Sequence, residues 1–274
     1  MMNTGAGLID LHCHTDYSDG TFSPSEVAEM ALRAGLRALA ITDHDTMEGF
    51  LSLGEVPGLE LVPGIERKAW WEGVELHILG YGGDWERLRR FPQVEHAREA
   101  RNAAMVEKLR AGGIDISLPE LKSMKKGVVG RPHMARLLME KGYFPTVQQA
   151  FDEWLGEGKP FYVPSLQESV QEVAAELRSS GARVVLAHPL EYKLSPEDLR
   201  RLAAFCRDSG VQGMEVFYSG YMAAESAALA ALAEQFGLCL TGGSDFHGPR
   251  RSERVLGKPQ VPYVLLEKLM ALAP

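Results

Sequence analysis

At 274 residues the chain can form one sizeable domain, or one domain with an insertion, around a full core. Its 29 basic and 37 acidic residues leave a net charge of −8, which argues against long nucleic acid held by bulk charge, although bound divalent ions reverse the sign locally. Cys13, Cys206 and Cys239 lack CxxC spacing and indicate neither a disulfide framework nor a thiolate zinc site, and no secretion signal or membrane-length apolar run is present, so a soluble cytoplasmic protein is expected.

The first β-like run, Leu8-Ile-Asp-Leu, leads into His12-Cys-His14. The period of two along a strand puts both histidines on one face, able to reach one metal ion, with Cys13 pointing away. A polar turn, Thr15–Gly20, precedes Ser23-Pro24-Ser25-Glu26, an N-cap with proline in the first turn; apolar Val27, Met30, Ala31 and Ala34 then keep helical spacing up to Gly35. The run Ala38–Ile41 ends in Thr42-Asp-His44-Asp-Thr46, and Leu59–Val62 ends in Pro63-Gly-Ile-Glu66. Lys68–Trp71 and Val74–Gly80 flank Glu72-Gly73 and read as a hairpin with His77 in its second arm.

From Trp85 the β signal fades into charged helical sequence to about Arg110, interrupted at Pro92, with shorter helical pieces at Leu118–Met124, Pro132–Lys141 and Thr146–Leu155. Residues 85–160 read as a small helical insertion covering the active site, between barrel segments 1–84 and 161–274. Alternation resumes after Phe161–Val163: helix Leu166–Ser179 precedes Arg183–Ala187 and His188-Pro189, helix Pro196–Asp208 precedes Gly213–Phe217, and helix Met222–Phe236 precedes Leu238–Thr241 and Gly242-Gly-Ser-Asp245-Phe-His247. Repeated βα units of this kind predict an α/β fold in which a parallel barrel closes from about seven strands. In such barrels the chemistry gathers at the strands' C-terminal ends.

That is where most metal-binding side chains fall: His12, His14, Asp19, His44, Glu66, His77, His188, Asp245 and His247. Singly, each has a plain alternative as a hydrogen-bonded core residue or a helix cap, the reading given to Asp16, Asp43 and Asp45. Together they offer more donors than one four- or five-coordinate ion uses, which implies two or three ions sharing a carboxylate, with Glu66 as the bridge. His96 reads as a solvated helical residue.

The ordered motifs DLHCHTDYSDG, ITDHDT, GIE, HILGY, AHP and GGSDFHG closely resemble the PHP family, named for polymerase and histidinol phosphatase. The resemblance implies a distorted seven-stranded β/α (TIM-like) barrel and two or three divalent ions, usually manganese, zinc or iron. It implies that His12, His14, Glu66 and Asp245 hold the first ion, that Glu66 bridges to a second held by His77 and His188, and that Asp19, His44 and His247 hold a third. The GRPHMA segment at Gly130–Ala135 is similar to a branch containing 3′,5′-nucleoside bisphosphate phosphatases and the 5′-to-3′ exoribonucleases called RNase AM. The implied activity is hydrolysis of nucleotide phosphate esters, in small substrates or short RNA, by a hydroxide held between two ions.

Arg131 offers a rigid donor fork for phosphate oxygens, and His133 a further donor or a proton for the leaving oxygen; local capping is the alternative. Lys125, Lys126 and Lys159 are weaker candidates. Of Trp70, Trp71, Tyr162, Phe217 and Tyr218, core packing explains most, and Tyr218 is the one expected to contact substrate by stacking on a base. No GxSxG elbow or P-loop competes. Histidinol phosphate is a second substrate class, a metal-dependent amide hydrolase shares the initial HxH without TDHD and DFH, and a non-catalytic metal-binding module is a third reading.

Overall fold

Residues 7–88, 92–124, 129–164 and 166–273 are described by the structure, a computed structural model. The chain divides into two compact units, Met1–Arg90 with Gln167–Pro274, and Phe91–Leu166. In the first, one sheet contains β1 (Leu8–Cys13), β2 (Leu36–Ile41), β3 (Glu60–Trp71), β4 (Val74–Tyr81), β5 (Arg183–Leu186), β6 (Gly213–Tyr218), β7 (Cys239–Gly243) and β8 (Val261–Pro262). Their order is β7-β6-β5-β4-β3-β2-β1-β8. The seven strands expected are thus joined by a two-residue eighth, antiparallel to Leu8 and Ile9.

The sheet is nearly closed where β7 returns to β1. Cys13 bridges in parallel to Phe246, the Asp245 N–H donates to the His12 carbonyl at 2.7 Å, and the His14 N–H donates to the Phe246 carbonyl at 2.8 Å. Glycine makes this approach possible: a Cβ on Gly243 would lie 2.4 Å from the His12 Cβ. A bulge also bends β1 here, because Asp10 pairs with Leu39 while Cys13 pairs with Ile41, three steps against two.

The barrel is mixed, not parallel as expected. β3 and β4 pair antiparallel, as do β4 and β5. The cause is local: Glu72 and Gly73 have φ of 48° and 84°, and a two-residue turn with both φ positive forms a tight hairpin. β3 also continues past Val62, where the sequence reading ends it. Pro63 occupies the last parallel pair with β2, so its missing N–H breaks no continuing ladder. At Gly64 a Cβ would sit 2.9 Å from the Ile41 carbonyl oxygen. Glu66 therefore stands inside a twelve-residue strand and not beyond its end.

α1 (Pro24–Arg33) begins at the expected cap, with Ser23 and Glu26 closing a reciprocal capping box. α2 (Glu48–Leu51) and α3 (Trp85–Leu88) are single turns. In the second unit, α4 (Pro92–Ala111), α5 (Leu118–Ser123), α6 (Arg131–Glu140) and α7 (Val147–Ala150) precede a π-helical turn at Phe151–Leu155. Its own core joins Met105, Leu109, Met134, Leu138, Phe144 and Leu155. Phe161–Val163 is not a strand.

Back in the first unit, α8 (Val170–Ser179) starts four residues later than the sequence reading places it, at the Ser169–Glu172 capping box. α9 (Pro196–Asp208), α10 (Ala223–Gln235) and α11 (Val264–Met270) complete the helices. Ile9, Leu11, Ala40, Val62, Leu79 and Val185 pack with Leu266 and Leu269 of α11 in one buried cluster. Cys13, Leu39 and Ile41 pack with Val27 and Ala31 of α1 in another. Among the described residues no helix is long and apolar enough to cross a membrane.

Candidate metal centre

Elements far apart in sequence deliver the predicted donors to one place. His12 is the penultimate residue of β1 and His14 follows the strand, His44 follows β2, Glu66 and His77 sit inside β3 and β4, His188 follows β5, and Asp245 and His247 follow β7. Asp19 lies on the turn before α1. All nine fall into four overlapping groups, with ligand atoms in each group lying within 4.8 Å of one another: His14, Asp19, His44, His247; His12, His14, Asp245; His12, Glu66, His188; and His44, Glu66, His77. Six of the chain's eight histidines are gathered there.

Glu66 is the hub. Its Oε1 lies 2.7 Å from His77 Nδ1, 3.3 Å from His188 Nε2 and 3.4 Å from His12 Nε2. Its Oε2 lies 3.2 Å from His14 Nε2 and 3.1 Å from His44 Nδ1. Asp245 Oδ1 is 3.4 Å from His12 Nε2 and 3.1 Å from His14 Nε2, while Asp19 Oδ1 is 3.2 Å from His247 Nε2 and 3.8 Å from His44 Nε2.

The donor set fits divalent cations. His12 Nε2, His14 Nε2, His44 Nδ1, His247 Nε2 and Glu66 Oε2 are buried without hydrogen-bond partners among the described residues, and buried polar atoms are seldom left so. Nitrogen and carboxylate donors in this number are what zinc, manganese or iron accept. The surroundings orient the rings. His12 Nδ1 lies 3.0 Å from Glu215 Oε1, and an ionised carboxylate only accepts, so that nitrogen carries the proton and Nε2 turns its lone pair to the centre. His247 Nδ1 donates similarly to the Asp245 carbonyl at 2.7 Å.

Burial opposes ionisation of His14, His44, His77, Glu66 and Asp245, and the neighbours decide the balance. At His14 burial lowers the pKa, but Asp245 and Glu66 overcome it and raise it to about 9. Burial at His77 is likewise outweighed by Glu66, with Glu75 assisting, again to about 9. His44 goes the other way: burial, helped by the charged His14 and His77, holds it at about 3. Glu66 and Asp245 would be raised by burial, yet the surrounding histidines hold both carboxyls well below the usual range.

The remaining predicted residues have local surroundings of their own. Tyr218 ends β6 and is 2 % exposed. Its hydroxyl donates to Asp245 Oδ2 at 2.7 Å, and its ring meets His188, Tyr221 and Arg254, so the expected stacking face is already covered. Trp71 packs against Phe205 and is 6 % exposed. Arg131 and His133 open α6 in the second unit: the Arg131 guanidinium lies 5.5 Å over the Tyr162 ring, and His133 Nδ1 accepts the Gly130 N–H at 3.3 Å. His96 and Lys159 are exposed, and Lys125 and Lys126 lie outside the described residues.

Sequence reasoning missed Glu215, Arg67 and Arg254. Glu215 is fully buried in β6, orients His12 and accepts the His188 N–H at 2.8 Å. The signal was available: a carboxylate in the apolar run Gly213-Met-Glu-Val-Phe217 needs a buried partner. Arg67, next to Glu66 and fully buried, pairs with Asp45 at 3.1 Å, Glu168 at 2.7 Å and Glu176 at 2.9 Å. Asp43 accepts from the Thr15 hydroxyl at 2.6 Å and the Ser18 hydroxyl at 2.5 Å, securing the turn beyond His14.

Residues 10–79 match the PHP domain. The 5′-3′ exoribonuclease Rnm of Salmonella typhimurium is 36% identical over 253 residues, covering 89% of this chain and 86% of its own. A 3′,5′-nucleoside bisphosphate phosphatase of Chromobacterium violaceum is 28% identical over 261 residues, 91% and 90% of the two chains. A structure from Bifidobacterium adolescentis, assigned as a metal-dependent phosphoesterase, superposes with a TM-score of 0.81 at 32% identity, covering 96% of this chain and 95% of the other. Agreement at this identity, over nearly the full length of each relative, means that the chain belongs to the PHP family of metal-dependent phosphoesterases.

Proposed function

We propose that the chain hydrolyses phosphate esters of nucleotides, taking 3′,5′-nucleoside bisphosphates, short 5′-phosphorylated RNA, or both. The observation that carries the phosphoesterase reading is the gathering of nine donor residues into four overlapping groups, two of which share Glu66, whose two oxygens face different histidines. The nucleotide class rests on the relatives named above, and the net charge of −8 favours small or short substrates over long ones. Two or three ions of manganese, zinc or iron suit the donors, with His12, His14, Glu66 and Asp245 at the first, Glu66, His77 and His188 at the second, and Asp19, His44 and His247 at the third. A reducing cytoplasm suits the three unpaired cysteines.

Bound divalent ions supply Lewis acidity and lower the pKa of water toward about 7. The protein's task is to hold that chemistry in place. Glu66 keeps the two halves of the centre together, and Glu215 locks His12 in the tautomer that presents Nε2. Tyr218 donates to one Asp245 oxygen while the other faces His12 and His14. For Arg131 and His133 the proposed roles are to take charge on the phosphoryl oxygens and to deliver a proton to the departing alkoxide.

The test compares turnover of adenosine 3′,5′-bisphosphate, a short 5′-phosphorylated RNA, histidinol phosphate and cyclic amides with manganese. Turnover of either nucleotide substrate well above the others is expected. Preference for histidinol phosphate would move the enzyme to another branch, and amide hydrolysis would overturn the phosphoesterase reading. Replacing Arg131 with Ala is expected to raise KM or lower kcat by roughly ten-fold or more with metal content unchanged. Unchanged kinetics would remove Arg131 from the site.

A further inference from the structure

A cationic group stands beside Asp245, on the segment that follows the last histidine. Arg254 turns inward, with its side chain only 13% exposed. Its Nη1 bonds Asp245 Oδ2, the oxygen that also takes the Tyr218 hydroxyl, while Asp245 Oδ1 faces His12 and His14. The guanidinium lies 5.3 Å over the Tyr218 ring, which fixes its plane. Its other nitrogens are less engaged: Nη2 reaches Glu191 Oε2 and Nε reaches Glu253 Oε1 only at 4.0 Å, beyond hydrogen-bond range. Arg251, 42% exposed, brings Nη1 to 3.9 Å from the same Asp245 oxygen and extends positive charge outward.

A guanidinium held by one edge beside a ligand carboxylate, with its remaining donors no nearer than 4.0 Å to the carboxylates Glu191 and Glu253, is preorganised for a planar or tetrahedral oxyanion. We propose that Arg254, with Arg251 at its outer side, forms an anion subsite at the Asp245 edge of the centre that binds a phosphate group of the substrate. This rests on the phosphoesterase reading and adds a phosphate-recognition element within the barrel unit itself. The phosphate bound is either the one being hydrolysed or a second, unreactive one. Holding Asp245 in place is the competing role, and it predicts different behaviour.

The experiment uses the manganese-loaded full chain, wild type and with Arg254→Ala, Arg254→Lys and Arg251→Ala. Metal content, the calorimetric affinity for inorganic phosphate, and steady-state kinetics on p-nitrophenyl phosphate and adenosine 3′,5′-bisphosphate are measured. Arg254→Ala is expected to retain metal, because Tyr218 still holds Asp245, and to weaken phosphate binding or raise KM roughly ten- to hundred-fold. Arg254→Lys should recover part of the loss and Arg251→Ala should show a smaller effect. Losses on both substrates assign the subsite to the scissile phosphate; a loss on the bisphosphate alone assigns it to the second. Phosphate affinity and KM unchanged in Arg254→Ala, or changed only in proportion to lost metal, would overturn the subsite. If the wild type releases no phosphate from either ester, the phosphoesterase reading fails, while phosphate calorimetry still decides whether Arg254 binds the anion.

Discussion

Glu66 offers its two oxygens to different histidines, His77, His188 and His12 on one side and His14 and His44 on the other. A neutral amide keeps the shape but loses the charge and one strong donor. Glu66→Gln is therefore expected to abolish measurable turnover and lower bound metal, as read by elemental analysis of the purified protein; near-normal rates would exclude the bridge. The same crowding makes the metal-free protein sensitive to pH. His14 and His77, raised from 6.5 to about 9, contribute stability that is fully present below pH 6.5 and lost as pH rises through 9. His44, depressed from 6.5 to about 3, stays neutral when folded, so stability also falls as pH drops from 6.5 toward 3. Chelated protein should melt highest near neutral pH and at lower temperature on either side, and a melting temperature flat from pH 6 to 10 would contradict these shifts. Such ligands were legible because His, Asp and Glu recur beside short apolar runs. Glu215 was not singled out: its apolar run marks a buried carboxylate, but the ring it binds is 203 residues away and has no local signal.

At the scale of elements, the centre depends on how closely β1 and β7 approach. Gly243 lies against His12, and Asp10 ties the two ends by accepting the Ser244 N–H at 2.8 Å and the Gly257 N–H at 2.8 Å. Gly243→Ala places a methyl where only 2.4 Å is available, so the strands must part. The expected cost is roughly 1–3 kcal/mol in urea unfolding, with weaker metal retention; unchanged stability would show that the approach is loose. The start of α1 was readable from the capping box at Ser23, and α9 matches its expected span of Pro196–Asp208, whereas the capping box at Ser169 was passed over and α8 was begun four residues early. β3 was misread because Pro63-Gly64 has the composition of a turn. There the proline sits at the end of a parallel ladder and the glycine answers a close contact with β2, both tertiary facts.

At the scale of the whole molecule, one long-range arrangement underlies the rest: residues from His12 to His247 are brought within bonding reach by a nearly closed sheet. The order of the motifs along the chain made the βα repeat visible. The mixed strand direction came from one two-residue hairpin whose consequence for β4 and β5 has no signal at β5 itself. The most direct test of the central claim is anomalous diffraction from manganese-loaded crystals. The account predicts at least two metal peaks sharing Glu66, with His77 and His188 at one and His12, His14 and Asp245 at the other. An active enzyme whose ions lie away from Glu66, or a single ion that leaves half of these donors unused, would contradict it.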